Sequence, residues 1–422
     1  MVYNNYKKIV FFTAVCMISL VKTTSAQVQP NFPYSSLGVG EFDNNAQGML
    51  SGMGIGTSAI RSDNYLNNDN SASFSALAPK LVLGEASASG TDATLSAPGE
   101  TAKSSNFNLS RFVLGFKVAK FWGTSAGILP LSNVSYQIVS SAQSIPGSAQ
   151  TVSSIYKGNG GLHEAYWGNG VSIGKHLSLG LQLNYIFGSI NQLEQVGYDI
   201  NTPILTATQQ TYLKNVNLAY SLQYYTKINK QVDMSIGLQY QNQRQLRASY
   251  NISIISNSDT LSNQALQNNY FTIPAEYRGG IALTFANKLT VDADYILQQW
   301  SKAPDKYNNV RLINSSAYGL GVQYRPWKQV ITYQDKIIQR MLFEAGFVYD
   351  DSYLQINGQQ VKDMGFTLGA GFYNRPRTVS VSMGLRFGNK GMQGANSINE
   401  SYTQLYLNLI LRNIWFVRQK YD

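Results

Sequence analysis

Leu177-Ser178-Leu179-Gly180-Leu181-Gln182-Leu183-Asn184-Tyr185-Ile186-Phe187 decides the fold. Leu177, Leu179, Leu181, Leu183, Tyr185 and Phe187 fall on one face, and Ser178, Gly180, Gln182 and Asn184 on the other. Such a period of two, sustained over a long window, is the mark of a strand with one apolar face. The pattern recurs. Val232, Met234, Ile236, Leu238 and Tyr240 alternate with Asp233, Ser235, Gly237 and Gln239. Met364 to Phe372, Val379 to Phe387 and Leu405 to Leu411 read the same way.

Alternation alone fits a soluble sandwich with its apolar face inward or a membrane barrel with that face outward. Three features select the barrel. The windows match the roughly 9–11 residues of a tilted strand that crosses a bilayer. Aromatic residues such as Tyr185, Phe187, Tyr240 and Phe387 stand at strand ends, where a membrane interface would hold them. A secreted chain of this size also carries no disulfide to staple it. The expected fold is all-β, a transmembrane antiparallel β-barrel of about 14 strands with an N-terminal plug.

Secretion is read from the first residues. Lys7 and Lys8 precede the uncharged apolar run from Ile9 to Val21, and Thr24-Ser25-Ala26 offers small residues for cleavage before Gln27. The run is too short for a spanning helix. The one cysteine, Cys16, lies inside it, preceded by Val15 rather than the small residue a lipidation signal wants. The mature chain therefore has no thiol for a disulfide, a zinc site or a nucleophile. Loss of Lys7, Lys8 and Lys22 lowers the net charge from +10 to about +7. With no block of Lys or Arg, that excess suits lipid headgroups and lipopolysaccharide phosphates, not nucleic acid. The 36 Gly and 28 Tyr fit crowded lumen positions and membrane interfaces.

The expected organisation is a signal peptide over 1–26, a plug over 27–77, a barrel over 78–412 and an interfacial or periplasmic tail over 413–422. Polar stretches 191–210 and 247–263 read as long outer loops or strand extensions. The segment 27–77 is rich in Gly, Ser and Asn and lacks long alternation. Gly54 and Gly56 would let its backbone approach the wall, and Asn70, Ser71 and Ala72 are candidates for its anchor. Asp292 and Asp294 alternate with apolar residues and should face the lumen, with Arg325 and Arg386 as candidate partners. In the tail, Trp415 and Phe416 suit headgroup depth, and Arg418 and Lys420 suit phosphates. His163 and His176 are thirteen residues apart and support neither catalysis nor a metal. Gly52-Met53-Gly54-Ile55-Gly56 lacks the βαβ setting of a dinucleotide loop. No cofactor is expected, and no enzyme.

Several motifs, in order along the chain, resemble the FadL/TodX-type outer-membrane transport proteins, especially their Bacteroidota branch. They are Tyr34-Ser35-Ser36-Leu37-Gly38-Val39-Gly40-Glu41, the glycine run from Gly52 to Gly56, and Trp122 to Pro130 continuing to Ser132 and Tyr136. Tyr156 to Leu162, Ile186-Phe187-Gly188, Pro274 with Gly279-Gly280, Asp294-Tyr295 with Trp300-Ser301, and Gly321 to Pro326 follow. Glu400-Ser401-Tyr402 through Leu411 and Asn413 to Asp422 close the series. Where that family usually has Asn-Pro-Ala, this chain has Asn70-Ser71-Ala72. The resemblance implies passage of hydrophobic molecules from a surface groove, past a plug, to an opening in the wall. Other relatives are structural or interaction subunits of secretion or barrel-assembly complexes, with outer-membrane or periplasmic protein partners. The chain should thus behave as a heat-modifiable outer-membrane barrel, and mass spectrometry of the purified protein should find Gln27 at its N-terminus. Retention of residues 1–26 would refute the signal reading.

Overall fold

The computed structural model describes residues 32–43, 46–140, 142–144, 147, 150–199, 202–257, 259–303, 310–326, 337–392, 394 and 397–415. The expected signal peptide, and Phe416, Arg418 and Lys420 of the tail, lie outside them.

The alternating windows form fourteen antiparallel strands: β1 Leu81–Ala97, β2 Glu100–Ala119, β3 Trp122–Val139, β4 Thr151–Ile173, β5 Leu177–Asp199 and β6 Thr202–Lys227. β7 comprises Val232–Gln241 and Arg244–Ser256, and β8 comprises Asp259–Ile273 and Glu276–Phe285. The rest are β9 Leu289–Gln298, β10 Ser315–Tyr324, β11 Met341–Ile356, β12 Gln359–Tyr373, β13 Val379–Gly391 and β14 Asn399–Ile414. β14 pairs with β1 from Asn399↔Ser96 to Ile414↔Leu81, so the sheet closes on itself. Closure is what lipid demands, because an open edge would leave backbone groups unsatisfied in hydrocarbon.

The apolar faces point outward. Leu179, Leu181, Leu183 and Tyr185 are exposed, while Ser178, Gln182 and Asn184 are buried within the barrel. Phe366 and Leu368 are exposed around buried Thr367. A closed sheet with an apolar outer band and a polar interior is an integral membrane barrel.

An even strand number brings Leu81 and Ile414 to one rim. We take it as the periplasmic rim, since a secreted chain enters the membrane from that side. Of the two readings given for the outer polar stretches, strand extension is the one observed. The polar stretches 191–210 and 247–263 lie almost wholly in strands, because ladder pairing satisfies their backbone while polar side chains remain hydrated on both faces. Several outer hairpins are tight, at 98–99 and 357–358 among others. At Asn357-Gly358, φ values of +50° and +81° give the left-handed pair that a two-residue hairpin requires. Strand lengths make the wall uneven: β6 has 26 residues, but β9 and β10 have 10 each.

Leu181 sits within the outward band, at 48% exposure. Leu181→Arg should lower folding stability by about 2–4 kcal/mol, as a midplane cation does on a barrel's lipid face. Gln182→Arg, placed in the polar interior beside Glu164, should be far milder. Equal folding yields in vesicles would overturn the facing.

Candidate functional site

Residues 32–78 run down the barrel interior. Tyr34 donates its hydroxyl to the Ile398 carbonyl near the outer rim. Gly52 lies midway, its N–H on Glu344 at 3.0 Å and its carbonyl accepting from Thr367 at 2.7 Å. Asn64 receives Arg412 near the periplasmic rim.

The polar contacts reach most of the wall. On β1 and β2, Glu85 and Arg111 form a buried ion pair at 3.0 Å. Glu85 also accepts the Leu66 N–H at 2.9 Å, and Arg111 donates to Asn68 at 2.6 Å. Lys117 of β2 donates to the Ser75 carbonyl. On β5 and β6, Arg61 donates to Ser178 at 3.2 Å and Gln223 at 2.9 Å. Arg278 of β8 pairs with Asp69 at 3.2 Å and with Glu276 at 2.6 Å. Removing one partner from a buried pair such as Glu85–Arg111 typically costs about 3–5 kcal/mol.

Where hydrogen bonds do not reach, glycine does. A Cβ at Gly170 of β4, Gly237 of β7 or Gly319 of β10 would strike the carbonyls of Ser71, Ser58 and Ile55 respectively. The segment's backbone therefore lies flush against these strands. Gly56, at φ +61°, occupies the left-handed region, and a Cβ there would stand 3.0 Å from that of Asp294.

The candidate anchor residues meet the wall together. Asn70 caps the short 3-10 helix Ser71–Ala76, accepting from the Ala72 N–H at 3.0 Å. Its amide donates to Ser58 at 2.9 Å and to Leu222 at 3.1 Å. Ser71 and Ser221 share a hydroxyl contact of 2.7 Å. Gly54 lies near Phe347 and Val348 of β11.

Asp292, Asp294 and Arg386 face the lumen. Their expected pairing is corrected. Asp294 accepts the Ser58 N–H at 2.9 Å, and Arg386 binds Asp363 at 2.9 Å. The segment inside the barrel supplies a donor that sequence alternation cannot reveal. Arg325 lies just past β10, half-buried, with its N–H on the Lys288 carbonyl at 2.7 Å. Trp415 is exposed and donates its N–H to Lys80 at 3.0 Å. His163 lies within β4, and His176 lies in a turn. Among the described residues, no group of three His, Cys, Asp or Glu could hold a metal.

The wall has one feature that the sequence reading missed. β2 and β3 pair from Ala119↔Trp122 only as far as Phe112↔Ile128. Above that point the described part of β2 pairs with β1 alone. β3 turns away at Pro130, which has no N–H for a ladder, and its register with β4 shifts between Pro130 and Ser132. The segment's own strand, Glu41–Phe42, takes the vacated edge, with Glu41↔Asn133 and Phe42↔Ser132. Phe32 adds a bond to the Ser135 carbonyl at 2.8 Å, and Asp43 one to Leu131 at 3.2 Å. Pro130 inside a strand, with Gly160-Gly161 on the facing strand opposite Val134 and Asn133, was the available signal.

Beside this break is a cavity of about 1600 Å³. Tyr34, Phe42, Tyr353 and Arg386 line it from within, and Leu109, Phe187 and Tyr270 belong to the outward face. A second, charged chamber of about 80 Å³ lies between the segment and Glu164, Arg244 and Glu276.

A family model described as BamG matches residues 6–422. The chain belongs to the BamG family. No protein of curated function matches it. The fold of this BamG-family chain is that of the FadL-type barrels. It is similar to the P. putida toluene transporter TodX, with TM-score 0.58 and 14% identity over 89% of this chain and 100% of that one. It is likewise similar to the CymD monoaromatic hydrocarbon channel, at 0.56 and 15% over 88% and 98%. A Pseudomonas aeruginosa FadL homologue gives 0.56 and 11% over 89% and 99%.

Gly237→Leu forces a side chain into the Ser58 carbonyl, an overpacking worth about 1–3 kcal/mol. The barrel should stay heat-modifiable while residues 46–78 become cleavable by added protease. Unchanged protection would show that the seating does not depend on this contact.

Proposed function

We propose that this barrel passes hydrophobic small molecules between the outer leaflet and its lumen, with residues 32–78 acting as the plug. The observation that carries this reading is the break between β2 and β3 beside the large cavity. An apolar molecule leaving through the wall enters lipid without crossing water. Exposed Phe107 and Leu109 on the β2 side give that route an apolar threshold. The similar channels for toluene and monoaromatic hydrocarbons accord with such a cargo. Interior charges such as Arg386 and Lys390 are neutralised in place by Asp363 and Glu41. The protein acts as a conduit and carries out no chemistry.

A second reading is a structural or interaction subunit of a larger outer-membrane secretion or barrel-assembly complex. The dense bonding of residues 46–78 to the periplasmic half of the wall favours it, since a sealed lumen serves a scaffold well.

One experiment separates the two. Cys16 precedes the mature chain, so Asn108→Cys and Asn133→Cys would introduce unique thiols on opposite sides of the break. Joining them with a cleavable dithiol-reactive linker should reduce entry of a hydrophobic fluorescent probe to the level of protein-free vesicles. Cleaving the linker should restore it. Probe entry that ignores the linker would end the conduit reading. Recovery of stable outer-membrane protein partners, lost on deletion of residues 32–78, would then support the scaffold.

A further inference from the structure

We infer that the outer face carries a binding site for the phosphorylated headgroup of an outer-leaflet glycolipid of the lipid A type. The site is a row across five adjacent strands. His163 of β4 is in register with Phe187 of β5, and Phe187 with Lys214 of β6. Lys214 is in register with Arg247 of β7, and Arg247 with Tyr270 of β8.

The facing is fixed by the neighbours. Leu162, Ile186, Leu213 and Leu246 are buried in the lumen cluster around Tyr34 and Val39. The residues one step along each strand therefore point outward, and His163, Lys214, Arg247 and Tyr270 are exposed. The height is fixed as well. Below the row on β5 run Tyr185, Leu183, Leu181 and Leu179, and on β6 Val216 and Tyr220, all outward and apolar or aromatic. Beyond it stand Ser189 and Asn191 on β5 and Gln210 on β6. On β5 and β6 the row thus marks the upper limit of the apolar outward band, where lipid phosphates lie.

Its charge has no ion-pair partner among the described residues. Lys214 and Arg247 stand directly opposite one another, an arrangement of like charges that destabilises a sheet. The outward neighbours along these strands are Asn159, Ser189, Tyr212, Gln245, Ser249 and Thr272, none of them acidic. Among the described residues, neither cation forms an ion pair. An anion between them would turn repulsion into a shared contact, with the guanidinium able to hold two phosphate oxygens. Phe187 and Tyr270 flank the two cations in register, and Tyr185 stacks on Phe187 with centroids 5.6 Å apart. Aromatic rings at this depth seat acyl chains just below a headgroup. The concavity that runs along this face gives the headgroup room.

The test uses the full-length protein in nanodiscs of neutral phospholipid doped with bis-phosphorylated lipid A or with its dephosphorylated form. Native mass spectrometry reads the retained lipid. Wild type should retain the phosphorylated form selectively, and inorganic phosphate at millimolar concentration should not displace it. The double substitution Lys214→Gln with Arg247→Gln should weaken retention about thirtyfold, the equivalent of about 1 kcal/mol per cation at an anionic membrane surface. Lys175→Gln, in a periplasmic turn, should change nothing. Heat-modifiability of each variant checks that the barrel is intact. Equal retention of the dephosphorylated lipid, displacement by inorganic phosphate, or an effect of Lys175→Gln matching the double variant would each overturn the site.

Discussion

An unpaired backbone N–H or C=O in hydrocarbon costs several kcal/mol, and the whole architecture follows from that constraint. It forces the strands to close, with β14 laddered onto β1 over sixteen residues. It also explains why the edge of β3 exposed by the break with β2 is not left bare. At Pro130 the ladder between β2 and β3 has already ended, and Glu41–Phe42 of the N-terminal segment supplies the edge of β3 with a new partner. Part of the interior thus serves as part of the wall.

The same accounting holds inside the lumen. Residues 32–78 are too polar and glycine-rich to form a core of their own, yet Met49, Leu50, Met53, Leu66 and Phe74 are almost wholly buried. They pack because wall and segment complete one another. Wall side chains such as Glu85, Asp294 and Glu344 accept segment N–H groups, so the charges that face inward have a structural use. Wall glycines such as Gly170, Gly237 and Gly319 let carbonyls come close where no bond is made. A segment held this way moves only if many contacts are broken together. In a conduit, cargo would therefore pass most readily through the wall and not straight down the axis.

The outer surface follows a different rule. There the side chains answer to the bilayer's depth profile, apolar at mid-height, then aromatic, then cationic. The long strands β4 to β8 continue beyond that level with Asn, Gln, Ser and Thr on both faces, because the ladder alone satisfies their backbone in water.

The sequence by itself determined the class of fold, the strand windows and the face each residue presents. Leu181 outward and Gln182 inward can be read from their neighbours, because the pleat alternates at every residue and carries that information locally. The lumen facing of Asp292, Asp294 and Arg386 was legible for the same reason. Only the tertiary structure decided what those residues meet. Asp294 finds Ser58 across 236 positions of chain, Arg386 finds Asp363, and Lys214 comes to face Arg247. The break at Pro130 belongs to this second kind: a proline says that a ladder bond is missing, but not which strand takes the vacant edge. Register, closure and the path of the inner segment depend on every strand at once, and no local pattern encodes them.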